Sequence, residues 1–470
     1  MREPRHEQVA DLPMGEWLDE ALEGLTVPGV ALAVRYAGYE QHVFRGITSV
    51  DNPLPIDGST VFPWASITKT FTATAVMQLV ERGLVDLDEP VTTYLPDLRL
   101  SDPVALAEVT VLHLLNHTAG WAGDLPFRPD RGTEPIAGFV GALARAPQLT
   151  RPGSVVTYNN ASLILAGHLV ERATGLSFAE AIRDQLLDPL GMINTFERAG
   201  DVMTRRFAVG HESVLDGAAV VGPWPAPQYA MPAGGLAGTS SDLLTWARFH
   251  LGCAGTSMEG VLGGTLRQAM QRPTARAEGS ALGDAVGIGW FLRDVEGVRL
   301  VGHSGVATGQ IVRLDLAPDH DLAIGTMTNC GTSGARVIDL VRSRILNELL
   351  GVEDLPPSTR SVPIDVSAEL VGTYETEELV VVVGVEGETL LLTIRVSPCD
   401  PKTGERNETG EVFAVPVGLV VGESSDHFVA LAGQYENVRG RFVRDDSGVI
   451  ALDFGGRLAR RVDTRRLERP

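Results

Sequence analysis

Cysteine is scarce: the 470-residue chain has three, Cys253, Cys330 and Cys399. They form no CxxC pair and no cluster with histidine, which removes a disulfide framework and a metal-ligand set and suits a reducing, cytoplasmic setting. No run of 18 or more uncharged apolar residues occurs, so no membrane-spanning helix is expected. The opening stretch, Met1 to Asp11, lacks a basic segment followed by an apolar one, so no secretory signal is expected. The pair Gly234-Gly235 lacks the strand–GxGxxG–helix setting of a dinucleotide site. Hence no cofactor and no metal are expected. Positive charge is in deficit, with 39 Lys and Arg against 60 Asp and Glu, a formal net charge of -21. A surface that acidic repels phosphate backbones and anionic lipid, which argues against nucleic-acid and membrane partners.

Lysine is scarcer still. Among the 39 basic residues only Lys69 and Lys402 are lysine. Such a bias reflects nucleotide composition, yet it lets each lysine be asked what arginine could not have done there.

What is present is the profile of a soluble globular protein, 44% hydrophobic and 21% charged, long enough for two or three domains. Met14 to Leu25 has helical spacing and is stopped by Pro28-Gly29. Val30 to Tyr36 and Tyr39 to Phe44 read as paired strands. Helices are expected from about Ser66 to Gly83, over Asn160 to Ala173, over Phe178 to Leu187 behind a Ser177/Glu180 capping box, and over Asp242 to Leu251. Strands follow at Gly287–Leu292, Arg299–His303, Gln310–Leu316 and Leu322–Thr328, then a helix at Ala335–Leu350. Strands at both ends with helices between imply one sheet built from the two termini plus an inserted helical lobe. The expected division is a catalytic domain over 1–352, a Pro-containing linker over 353–363, and an all-β domain over 364–470. Six strand-like runs between Leu379 and Phe454 carry that last domain.

Three constellations carry chemistry. In Ser66-Ile67-Thr68-Lys69 the spacing puts hydroxyl and amine on one helix face, a turn apart. A helix starting near Ser66 places the hydroxyl at the positive end of the dipole. Lys69 can take its proton if burial and neighbours favour the neutral amine, which arginine could not do. A chance pair is the alternative. Next, Tyr158-Asn159-Asn160 precedes an apolar helix: the phenol can serve as a general base, and Asn160 suits a substrate amide. A helix cap by Asn159 or Asn160, with a packing tyrosine, is the alternative. Last, His303-Ser304-Gly305 ends a strand, and Gly305 would let a substrate backbone lie against it. The N–H groups of Val306 and Ser66 could together hold an oxyanion. The alternative is a tight turn with a solvated histidine.

This ordered set resembles the serine β-lactamase and penicillin-binding-protein-like family, in particular the branch of class C β-lactamases, DD-peptidases, D-aminopeptidases and esterases. Leu114-Leu115-Asn116-His117-Thr118-Ala119-Gly120, Asp188-Pro189-Leu190-Gly191-Met192 and Ala233-Gly234-Gly235-Leu236 resemble it too, over about residues 14 to 350. The resemblance implies an α/β fold, an antiparallel sheet flanked by helices with an all-helical lobe. Ser66 would be the acylated nucleophile, Lys69 its base and Tyr158 the proton shuttle. Asn160, His303, Ser304, Gly305, Val306, Gly234 and Gly235 would bind substrate or oxyanion. His117 is expected to shape its loop rather than to catalyse. Histidine at 303, where β-lactamases carry lysine, removes a permanent charge and weakens recognition of a carboxylate. Some peptidases and peptide cyclases of this family carry a C-terminal lipocalin-like barrel, which the region after 360 resembles. The expected activity is acyl transfer from peptide-like amides, esters or thioesters whose acyl donor ends in a D-residue. It includes cyclisation of a carrier-protein-bound nonribosomal peptide by a stand-alone thioesterase. A broad esterase, β-lactamase or D-aminopeptidase is the alternative, and an acylated sensor a third.

Overall fold

The computed structural model describes residues 12–128, 135–222, 227–253, 260–361, 368–387, 389–397 and 410–462. Cys399 and Lys402 lie outside the described residues. Contacts divide the chain into two compact units: Met1–Leu87 with Ala166–Arg272 and Gly287–Asp354, and Asp88–Leu165 with Pro273–Val286 and Leu355–Pro470. The helical segment before Leu165 is thus grouped with the C-terminal region.

In the first unit, helix α1 (Met14–Leu22) buries Met14, Trp17, Leu18 and Ala21, the i, i+3, i+4, i+7 stripe of an amphipathic helix. Strands β1 (Gly29–Tyr36) and β2 (Tyr39–Gly46) follow as a hairpin. They join β3 (Phe291–Val295), β4 (Val298–Ala307), β5 (Gln310–Ala317) and β6 (Leu322–Thr328) from the far side of the chain. The hydrogen-bonded order is β2-β1-β6-β5-β4-β3, and the registered pairs are antiparallel. So one sheet is built from both ends of the unit, as the strand pattern implies. Val30, Leu32, Val34 and Ile324 on one face pack with α1 and with Val337, Val341 and Ile345 of the C-terminal helix Gly334–Leu350. On the other face Gly325 lies against Leu243 of the helix Ser240–Leu251. Covered on both sides, β6 is buried along its whole length.

Two expectations are corrected here. The strand expected at Gly287 begins only at Phe291, because Gly287 N–H turns back to the Trp290 carbonyl (2.8 Å). Gly289, at φ +75°, closes that turn so tightly that an added Cβ would sit 2.6 Å from Ala73. The helix expected over Phe178–Leu187 keeps its capping box, but is α-helical only to Ile182 and π-helical over Arg183–Leu187.

Charges are buried beside this sheet. Arg342 (2% exposed) reaches Asp315 of β5 at 3.1 Å and also pairs with Asp354, which Arg293 of β3 holds at 2.6 Å. Arg313 adds a 2.7 Å bond to Asp315. The network ties the C-terminal helix, β3, β5 and the chain leaving the sheet together.

In the second unit, short helices such as Pro103–Glu108 and Val111–Leu115 precede the start of the helix Asn160–Thr174. The hairpin Ala275–Ser280/Gly283–Val286 belongs here as well. Eight strands then follow: β7 (Gly372–Glu375), β8 (Leu379–Glu386), β9 (Thr389–Val396), β10 (Val412–Val420), β11 (His427–Ala430), β12 (Arg439–Asp445), β13 (Gly448–Phe454) and β14 (Arg457–Val462). Each pairs antiparallel with the next and β14 pairs with β7, which closes an up-and-down barrel. Tyr374, Val381, Leu390, Leu392, Val417, Phe428 and Leu452 fill it with apolar side chains. The first and last strands, β7 and β14, are additions to the six runs expected. Among the described residues no helix is long and apolar enough to cross a membrane.

Burial alone would raise the Asp315 carboxyl, but Arg313 and Arg342 outweigh it and hold it below the ordinary carboxylate range. Its stabilising share is therefore present above the unfolded value near 4 and lost as pH falls below it. Arg342→Leu takes one of the two arginine partners from each of Asp315 and Asp354, leaving Arg313 and Arg293, and we expect a loss of about 3 kcal/mol in urea unfolding at pH 7. Unchanged unfolding would show the network to be dispensable.

Candidate active site

The first half of the site is built on a helix that is buried all round. Helix Thr68–Glu81, here α2, starts immediately after a turn of 3-10 helix, Ala65–Ile67, so Ser66 sits at its N-terminal end as the sequence implies. Such a helix cannot be amphipathic, and apart from Lys69 and Phe71 every residue from Thr68 to Val76 is Thr, Ala or Val. The hydroxyls of Thr70 and Thr74 donate to Ile67 and Thr70 carbonyls in the preceding turn (both 2.8 Å), so they are satisfied without water. Phe71 stacks on Trp246 with centroids 3.6 Å apart, and Trp64 is fully buried.

The turn itself is strained. Ala65 has φ +45°, a left-handed value that costs a residue with a Cβ about 1–2 kcal/mol. The strain is held by Trp64, whose N–H donates to Leu236 (2.8 Å), and by Thr68, whose hydroxyl donates to the Ala65 carbonyl (2.6 Å). One turn on, Lys69 is completely buried. Its Nζ lies 2.9 Å from Ser66 Oγ and 2.6 Å from the carbonyl oxygen of Ala233.

Ala233 belongs to a one-turn helix, Met231–Gly234. Gly234 lies against the backbone of Ala65, where a Cβ would be 3.6 Å from the carbonyl carbon. Gly235 packs within its own turn, its N–H bonded to Met231 O at 2.9 Å. A Cβ on Gly234 would make only ordinary contact with Ala65, whereas one on Gly235 would sit 2.7 Å from Met231 Cα, so it is Gly235 that lets this one-turn helix close. The lysine's carbonyl partner was missed from the sequence, since a main-chain oxygen has no residue signature.

Strand β4 completes this half. It runs on to Ala307, so His303, Ser304 and Gly305 lie within a ten-residue strand rather than at its end, which corrects the tight-turn alternative. The registered pairing with β3 stops at Gly302, and the edge beyond is approached by the Trp64–Ser66 turn. A Cβ on Gly305 would overlap the Trp64 carbonyl and lie 3.1 Å from Ser66 N. Only glycine allows that approach, which brings the Val306 and Ser66 amides to neighbouring positions.

His303 is buried (2% exposed), not solvated, and stacks on Phe291 at 4.6 Å. Its Nδ1 lies 2.7 Å from the Ser304 carbonyl, so that nitrogen carries the proton. Burial first, then the positive charge available on Lys69, pushes its pKa down to about 3. The ring is uncharged at physiological pH.

Tyr158 and Asn160 belong to the second unit. Asn159 Oδ1 accepts from Ser162 N (2.8 Å) and its amide donates to Trp121 O (2.7 Å), so Asn159 is the helix cap and Asn160 is free of that duty. Asn160 Nδ2 donates instead to Asp124 Oδ1 at 2.5 Å. The Tyr158 ring stacks on His117 with centroids 4.8 Å apart. His117, at φ +61°, accepts the Asn159 N–H on Nδ1 (3.1 Å) and the Thr157 N–H on its carbonyl (2.9 Å). It thus shapes the loop that carries Tyr158, as expected.

A sequence profile described as Beta-lactamase matches residues 16–346. The chain belongs to the β-lactamase family. Of this β-lactamase-family chain, 364 residues are 34% identical to penicillin-binding protein 4 of Amycolatopsis lactamdurans, covering 75% of the chain and 94% of that protein. A stretch of 193 residues is 36% identical to esterase EstB of Burkholderia gladioli, covering 37% and 48% respectively. The crystal structure of SurE with D-Leu superposes with a TM-score of 0.74 at 29% identity, over 96% of this chain and 98% of that one. The family resemblance and the fold class read from the sequence are borne out. The chain is a serine-hydrolase-type enzyme of the Ser-x-x-Lys kind, acting on amide or ester bonds.

Two outcomes follow from this geometry. Gly305→Ala should slow acylation by p-nitrophenyl acetate by about 100- to 1,000-fold, the cost of an oxyanion donor, with thermal melting as the control for folding. His303 has a folded pKa below its unfolded value, so the stability it contributes is lost as pH falls from about 6.5 toward 3. His303→Gln should flatten that part of the stability profile, by at most about 1.4 kcal/mol per pH unit. Superimposable profiles would contradict a buried neutral ring.

Proposed function

We propose that Ser66 is the nucleophile of an acyl-enzyme mechanism and that Lys69 takes its proton. The observation carrying this is the 2.9 Å contact between a hydroxyl at a helix start and an amine with no exposed surface. Of the two common cationic side chains, only lysine can release its proton and act as a base. Tyr158 passes the proton to the leaving group and then activates the incoming nucleophile. Asn160 binds the amide of the acyl chain. The amides of Ser66 and Val306 hold the oxyanion, with Gly305 permitting their approach, while Ser304 and His303 line the acyl site. Gly234 and Gly235 seat the turn whose carbonyl holds Lys69.

The substrate in this reading is a peptide-like amide, ester or thioester whose acyl end is a D-residue. Support comes from SurE, crystallised with D-Leu and similar over nearly the whole of both chains. An uncharged His303 disfavours a free carboxylate at that position, and so favours an activated acyl group such as a carrier-protein-bound peptidyl thioester. An amine at the other end of the peptide would then resolve the acyl-enzyme, giving a head-to-tail cyclic peptide. Cytoplasmic placement is part of this reading, supported by Cys253 and Cys330 both being free thiols. The second reading is a broad esterase, β-lactamase or D-aminopeptidase, which the similarity to EstB favours.

Intact-mass analysis with peptidyl N-acetylcysteamine thioesters ending in D- or L-residues separates these. We expect a Ser66-dependent adduct or turnover with the D-series, cyclic product where an N-terminal amine is free, and neither with Ser66→Ala. Equal activity in Ser66→Ala would refute the nucleophile. Equal use of both series, with fast p-nitrophenyl ester or nitrocefin turnover, would favour the second reading. A persistent adduct without turnover would mark a sensor.

A further inference from the structure

The last hairpin of the barrel reaches the segment that carries Tyr158 and Asn160, and both lie in the second unit. The β13–β14 turn is Gly455-Gly456, with φ of +62° and +82°, the two-residue turn that glycine permits at both positions. Gly456 O accepts the Tyr158 N–H at 2.7 Å, and Leu458 N–H donates to Thr157 Oγ1 at 3.1 Å. Arg441 of β12 donates to the Val156 carbonyl at 3.1 Å while pairing with the buried carboxylate of Asp453 at 3.2 Å. The tyrosine segment is therefore fastened to β12, to the β13–β14 turn and to β14.

This turn delivers Arg457. Its Nε bonds Asp124 Oδ2 at 2.5 Å, and its guanidinium carbon stands over the Tyr158 ring, 4.9 Å from the centroid. The His117 ring stacks on the same phenol ring, 4.8 Å between centroids, so two groups from different parts of the unit pack against it. The other oxygen of Asp124 takes the Asn160 amide. A carboxylate can only accept, which fixes Asn160 with its NH2 toward Asp124 and its carbonyl oxygen turned the other way. One carboxylate thus holds Asn160 directly and the arginine that stands over Tyr158.

We propose that the barrel completes the proton-transfer apparatus: Arg457 and Asp124 are positioning residues for Tyr158 and Asn160, and the Arg457 charge favours the phenolate. This rests on the roles given to Ser66 and Tyr158 above. Among the described residues, the titratable and charged groups recorded at the phenol are Arg457 and His117, with Asp124 bonded to Arg457 and Glu378 on the β7–β8 loop electrostatically coupled to Asp124 and Arg457. Asp124, Tyr158 and Glu378 each strengthen the proton affinity of Arg457, against its desolvation, so its charge persists throughout the working range.

The test uses the full chain and p-nitrophenyl acetate, followed at the isosbestic wavelength of p-nitrophenol. In Arg457→Gln and Asp124→Asn we expect kcat to fall about 10- to 100-fold with KM changed less than about threefold, the size of a misplaced general base. The acid limb of the kcat/KM profile should move up by about one pH unit when the cation is lost. Arg457→Lys should recover most of the limb position but less of kcat, because an ammonium keeps the charge and loses the fork. Arg444→Gln, on a barrel ion pair with Asp426 and Glu369, should match wild type, and melting curves check folding. Profiles of Arg457→Gln and Asp124→Asn that superimpose on wild type overturn the proposal while leaving the nucleophile intact. If wild type forms no Ser66-dependent acetyl adduct, the parent assignment fails, and this one with it.

Discussion

A serine hydroxyl is inert near neutrality unless something close takes its proton, and water around a basic side chain keeps that side chain protonated. In the proposed mechanism the contact between Lys69 Nζ and Ser66 Oγ answers both conditions, and much of the first unit is arranged to hold it. Complete burial of the amine requires that α2 be enclosed on every side, hence its threonine and alanine composition and its internally satisfied hydroxyls. The left-handed Ala65 turns the serine to the helix start, and its strain is retained by Trp64 and Thr68. The Ala233 carbonyl fixes the direction of the amine and requires a glycine turn that can approach closely.

A second constraint acts through β4. The strand must come within backbone distance of the serine turn, so Gly305 has no tolerance for a side chain. The residue two positions earlier faces inward, and there a histidine with its proton on Nδ1 is accommodated where a lysine would bring a second charge beside Lys69. An uncharged ring there avoids that repulsion, and in the proposed function it also bears on which acyl groups the site suits. Stability and specificity meet at one ring.

Much of this was legible in the sequence. The two isolated lysines drew attention to Lys69, and the capping box, the strand pair after Gly29 and the terminal helix stood out by periodicity and turn chemistry. Other parts were hidden for physical reasons. Gly287 to Trp290 carries β-branched and aromatic residues, yet its glycines fold it into a turn against α2. The Phe178 helix gave no sign of its π-helical stretch. Strand β14, Arg457–Val462, holds three arginines in six residues and reads as a polar tail; only the barrel closure makes it a strand. Asp124 and Arg457 are 333 positions apart, so no local pattern could join them.

That separation bears on how the molecule is made. The amide of Tyr158 finds its acceptor on Gly456, within the last fifteen residues of the chain. A polypeptide emerging from the ribosome therefore completes the Ser66 turn long before the tyrosine loop has anything to fasten to. In the proposed mechanism, synthesis order alone delays competence until β14 is out, and a product truncated before Gly456 would have a Ser66 turn with no anchor for the Tyr158 amide.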